Sequence, residues 1–169
     1  MEKQARTIGI GMLVRRKVAA STAVVTAVVG LSLGTAGPAA ADELGSWRAY
    51  GNTNPITSSS STWACNGSIL VYIPDGGVLA QVCTVRSADK RYVQGAVIVR
   101  NNMSRLYYGT VDLRLVNIDG YTLGEWGCPY SGVAAHSWSV CFGRTISRNS
   151  PVWATAYINN QYLGQAPVL

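Results

Sequence analysis

The sequence predicts an all-β fold: a small antiparallel β-sandwich of about seven or eight strands, stapled by two disulfides. Three observations lead there. Val111, Leu113 and Leu115 alternate with Asp112 and Arg114, the period of two that marks a strand with one wet face. After residue 41 no stretch keeps a 3.6-residue period; short apolar runs are separated instead by Gly, Asn and Asp turns. Four cysteines, an even number, lie in that same region. Such spacing favours a sandwich, with a small β-barrel as the second architecture.

The chain has 169 residues, enough for one domain but too few for two good cores. Hydrophobic residues make up 48% and charged residues 13%, which excludes a disordered chain.

Residues 1–41 read as a secretory signal peptide that is removed. Lys3, Arg6, Arg15, Arg16 and Lys17 form a basic n-region. An apolar stretch from Val18 to about Leu33 is short for a membrane span. Ala39-Ala40-Ala41 then supplies small residues before a cut expected between Ala41 and Asp42. Met12 opens a more ordinary signal peptide than Met1 does. Arg15-Arg16 raises twin-arginine export, but the residues after it favour the general route.

Removing residues 1–41 takes five of 14 basic and one of eight acidic residues, leaving 9 and 7, a net charge of about +2. With no Lys/Arg run left, nucleic acid is not the expected partner, and no membrane association is expected after cleavage. All 15 aromatic residues lie in the remaining 128 residues. Arginine exceeds lysine 11 to 3 and alanine is abundant, a bias that fits a GC-rich bacterial secretor.

Residues 42–62, with Asn52-Thr-Asn-Pro and Ser58–Ser61, read as a flexible N-terminal arm from which Trp47 and Tyr50 can tuck onto the body. The single β domain then spans 63–169. Strands are expected at Ser68–Ile73, Val78–Val85, Tyr92–Arg100, Leu106–Val116, Tyr121–Leu123, Ser137–Phe142 and Val152–Ile158. Pro74–Gly77 and Asp119-Gly120 read as turns, and Arg86–Arg91 as a loop. Trp138 is assigned to the core. The layout resembles small immunoglobulin-like modules of secreted bacterial proteins; no family motif is matched, so no residue role follows from the resemblance.

Four cysteines in a small exported domain imply disulfides, and sequence allows three pairings. Cys65–Cys83 and Cys128–Cys141 are preferred because each closes a short loop, worth about 3 kcal/mol in the chain-entropy model. Metal binding is not expected: Cys-x-x-Cys is absent, and His136 is the one histidine. No cofactor motif is present. Asn66-Gly67-Ser68 and Asn102-Met103-Ser104 match the N-glycosylation acceptor, relevant only in a eukaryotic secretory route.

No catalytic set stands out. His136 has Ser131, Ser137 and Ser139 nearby in sequence, and Asp112 or Asp119 as an orienting carboxylate, but Gly-x-Ser-x-Gly is missing. Asp112, Asp119 and Glu125, with Asp75 and Asp89, are the carboxylates available for glycoside hydrolysis; no pair is singled out.

The aromatics are better candidates. Trp153 and Tyr157 share one face of a strand, roughly 13 Å apart, opposite the small row Ala154 and Ala156. Trp126 and Tyr130 sit in Glu125–Tyr130, read as a loop stiffened by Cys128 and Pro129. Arg144 and Arg148 are possible rim contacts. The favoured function is a secreted, non-enzymatic module binding an extracellular glycan or protein. The alternatives are a small secreted hydrolase or toxin-like enzyme using His136 or a carboxylate pair, and a structural cell-surface protein.

Overall fold

The computed structural model describes residues 43–72 and 77–169. The signal-peptide region and most of the Pro74–Gly77 turn lie outside the described residues. Twelve strands form among those described: β1 (Glu43–Leu44), β2 (Ser46–Gly51), β3 (Thr62–Cys65), β4 (Ile69–Tyr72), β5 (Val78–Arg86), β6 (Tyr92–Asn101), β7 (Tyr107–Asn117), β8 (Thr122–Val133), β9 (Ser137–Phe142), β10 (Ile146–Ser147), β11 (Val152–Ile158) and β12 (Gln161–Gln165). They make two packed sheets. One has five strands, in the order β1-β8-β7-β11-β12. The other has seven, with β2-β9-β6-β5-β3 as its path, β10 on β6 and β4 on β5. The protein is a β-sandwich and no barrel closes.

The strand count exceeds seven or eight because β1, β2 and β12 were not expected and because the rows beside β5 and β6 are each split in two. β3 and β4 lie along one side of β5, and β9 and β10 along one side of β6. Asn66 fills the first break. Its N–H donates to the Val82 carbonyl at 3.1 Å, and its Oδ1 accepts the Val82 N–H at 2.9 Å. A side chain thus replaces one rung of the ladder. Its Nδ2 donates to the Leu163 carbonyl on β12, so this glycosylation-type nitrogen is already engaged in joining the two sheets.

Residues 42–62 are not wholly an arm, which corrects the expectation. The segment changes sheet at Gly45: β1 pairs with β8, and β2 with β9. The β1–β8 pair is parallel, a departure from an all-antiparallel sandwich. Gly45 donates its N–H to the Gly127 carbonyl at 3.0 Å. A Cβ there would lie 2.8 Å from Cys128 Sγ and 2.9 Å from the Phe142 carbonyl oxygen, so only glycine lets the chain cross so close.

Two apolar clusters result. The inner one lies between the sheets and includes Val82, Val97, Val99, Val111, Leu113, Leu115, Trp126, Ala154 and Ile158, with Trp47 packed against it. Ala154 and Ala156 keep β11 thin, and the Ala154 N–H reaches across to Thr84 Oγ1 on β5 at 3.1 Å. The second cluster covers the far face of the seven-stranded sheet. Val85, Ala96, Ile98 and Val140 lie there beneath Tyr50, Ile56, Trp63, Trp138 and Phe142. That is why Ala96–Val99 is apolar at every position: both faces are covered. Trp138 therefore belongs to this outer cluster, half-buried with the Arg100 guanidinium 5.0 Å above its ring, and not to the inner core.

Both expected disulfides form. Cys65–Cys83 joins directly opposed residues of β3 and β5 within one sheet. Cys128–Cys141 joins β8 to β9, across the two sheets, with both cysteines buried. Disulfides belong to an oxidising compartment. Access controls thiol exchange, so limited dithiothreitol should open Cys65–Cys83, whose Cys65 is half-exposed, before Cys128–Cys141. Alkylation followed by peptide mass mapping reads the order; simultaneous labelling of all four cysteines would contradict it.

Candidate functional site

The five-stranded sheet turns one face to water. On β11 the odd positions Trp153, Thr155 and Tyr157 point outward, while Val152, Ala154, Ala156 and Ile158 are buried. β7 sets Arg114 opposite Thr155 and Asp112 opposite Tyr157. On the next strand Glu125 faces Arg114, with which it forms an ion pair, and Gly127 faces Asp112. β12 brings Tyr162 opposite Tyr157. These side chains line a groove of about 310 Å3.

Trp153 is half-buried, whereas Tyr157 and Tyr162 are 45% and 51% exposed. The two tyrosine rings lie 5.0 Å apart, tilted by 44°. Thr155 Oγ1 lies 3.3 Å from the Tyr162 hydroxyl and 2.9 Å from the Gly164 carbonyl, to which it donates. The groove therefore combines three aromatic rings with a cation, two carboxylates and hydroxyls. Rings of this kind give large contact area with few torsions to freeze.

Tyr162 was not among the sequence candidates. Its signal is Asn159-Asn160, both at positive φ (46° and 64°), in a two-residue hairpin between Ile158 and Gln161. Recognising that turn makes Gln161–Gln165 a strand and puts Tyr162 beside Tyr157.

The other candidates scatter. Glu125–Tyr130 is not a loop but the interior of β8. Trp126 shares its inward face with Cys128 and is only 2% exposed, so it offers no ring to a ligand. Tyr130 is 68% exposed and stacks on Tyr108, centroids 5.3 Å apart and planes within 6°. Asp119 sits in the β7–β8 turn, accepting a hydrogen bond from Asn117 Nδ2 at 3.1 Å. His136 lies in the β8–β9 link at positive φ (51°). Among the described residues no hydrogen bond or ion pair joins its ring to Asp112 or Asp119. Arg148 Nε donates to Ser150 Oγ at 2.7 Å. No group of three His, Cys, Asp or Glu side chains able to hold a metal ion occurs among the described residues.

Arg144 is engaged elsewhere. It donates to Glu43 Oε1 at 2.7 Å, while Trp126 Nε1 donates to Glu43 Oε2 at 3.2 Å. The Arg144 hydrogen bond first, and the indole second, hold the Glu43 carboxyl below the usual carboxylate range. A lowered folded-state pKa contributes stability above the unfolded value and loses it as pH falls through the folded one. Acidification below the carboxylate range should therefore loosen β1 before the rest of the fold. The protection factor of the Gly45 amide, its exchange rate relative to the unfolded chain at the same pH, should fall there in the native protein and lose this acid dependence in Glu43→Gln; a Gly45 protection factor that does not change with acid in the native protein would contradict it.

Comparison with protein-family models, with curated proteins and with solved structures finds no match to this chain.

Proposed function

We propose that this disulfide-stabilised β-sandwich is a secreted, non-enzymatic module that binds an extracellular glycan through the wet face of its five-stranded sheet. The observation that carries the reading is the groove in which Trp153, Tyr157 and Tyr162 flank Asp112, Arg114, Glu125 and Thr155. Sugar rings offer flat C–H faces to aromatic rings, and hydroxyls to carboxylates and guanidinium. Export is supported by the signal-like residues 1–41 and by the two disulfides. A rigid sheet holds the rings in place before binding, which limits the entropy lost on association.

A second reading rests on the Tyr108–Tyr130 stack, an exposed aromatic pair of the kind that anchors protein partners. One experiment separates them. The oxidised protein is mixed with insoluble cellulose, chitin and cell-wall material, and depletion from the supernatant is measured. Retention on one polymer should fall about tenfold or more in Trp153→Ala and Tyr157→Ala, with thermal melting unchanged, and stay level in Tyr130→Ala. No depletion by any polymer would sink the glycan reading and move attention to Tyr130.

A further inference from the structure

We infer that the groove selects an amino-sugar polymer carrying protonated free amines over its neutral or N-acetylated forms, an inference that rests on the glycan reading above. The argument begins with the charges. Arg114 and Glu125 face each other and are matched in an ion pair. Asp112 has no hydrogen-bond or ion-pair partner among the described residues, and it is exposed. The three groups leave the groove with one net negative charge, located at Asp112.

The space beside that carboxylate is open on the β8 side. Its neighbour across β8 is Gly127, which has no side chain; even a Cβ built there would stay 3.8 Å from Asp112 Oδ1. On the other side Asp112 faces Tyr157, and Tyr162 lies 5.0 Å beyond. A carboxylate beside two aromatic rings suits an ammonium group. The acid takes a charge-assisted hydrogen bond, and the negative ring faces favour the cation. An acetamide supplies neither term. Trp153 lies roughly 13 Å from Tyr157 along the same strand, so a second ring surface is available to the next units of a polymer. Selection at the groove is local, because the chain after residue 41 carries a net charge of about +2, which repels a polycation as a whole.

The test uses the oxidised protein and two forms of one polymer, chitin and the same material after deacetylation and cross-linking to keep it insoluble, at a pH where the amines are protonated. Depletion gives the affinity for each. The deacetylated form should bind at least tenfold tighter, and Asp112→Asn should bring it down to the level of the acetylated form. Asp89→Asn, which removes a carboxylate from the β5–β6 turn of the other sheet, should leave the preference intact. Equal retention on both forms, abolished by Tyr157→Ala, would leave the glycan reading standing and overturn the charge selection. A preference that survives Asp112→Asn would overturn it too, as general ionic adsorption. No retention on either form, with binding to poly-lysine instead, would replace both readings with a basic protein partner; no retention on anything would overturn both.

Discussion

Trp126→Ala should lower the free energy of unfolding by about 3–5 kcal/mol, the range for truncating a large buried aromatic. Few sites should cost more. The ring is clamped between backbones: a Cβ on Gly124 or on Gly143 would lie 2.4 Å from it. Those glycines leave no side chains to collapse into the space, so the cavity should persist, and a persistent cavity is what raises the cost of truncation. The indole N–H also loses Glu43, and Glu43 loses one of its two donors. Against a typical total of roughly 5–15 kcal/mol, such a loss brings a domain close to unfolding. Urea denaturation checks it, read as a lower midpoint at unchanged slope. A loss below about 1 kcal/mol would mean that the ring is not held in this way. Gly143→Ala should act in the same direction, because the ring must shift to admit a methyl group.

The second large effect is expected at Asn101, which is fully buried at the end of β6. Its Nδ2 donates to the carbonyls of Arg105 at 2.7 Å, Val133 at 2.9 Å and Ala134 at 3.0 Å. Its Oδ1 accepts the Met103 N–H at 2.9 Å. One side chain thus ties the link into β7 to the link out of β8, where the chain changes sheet twice. Asn101→Leu keeps much of the volume and removes every partner. Each buried group left unpaired costs about 1–3 kcal/mol, so a total of roughly 3–5 kcal/mol is expected. Thermal and urea unfolding measure it. A near-native stability would show that water or a backbone shift replaces these bonds.

Much of the fold was legible because strand period is local. The β7 alternation places Val111, Leu113 and Leu115 inward as expected, and the β11 alternation puts Trp153 and Tyr157 on the wet face. Both disulfides pair as preferred. Trp126 was misread because a cysteine followed by proline looks like a stiffened loop. The parity argument was available: Trp126 stands two residues from Cys128, so a buried cysteine on a strand buries the tryptophan as well. Tyr162 was missed through the unread Asn159-Asn160 turn.

Trp138 shows where a local pattern stops. The sequence establishes that Trp138, Val140 and Phe142 share one face of β9, and that Ser139 and Cys141 share the other. It does not say which face meets the second sheet. That depends on Cys141 reaching Cys128 on β8, and on residues 50–63 folding over the far side of the seven-stranded sheet. The candidate groove has the same origin. Its rings and charges come from two hairpins, β7–β8 and β11–β12, set side by side by the register between the distant strands β7 and β11. Alternation divides each strand into two faces at the cost of no long-range contact; which face is covered is settled only when segments far apart in the chain pack together.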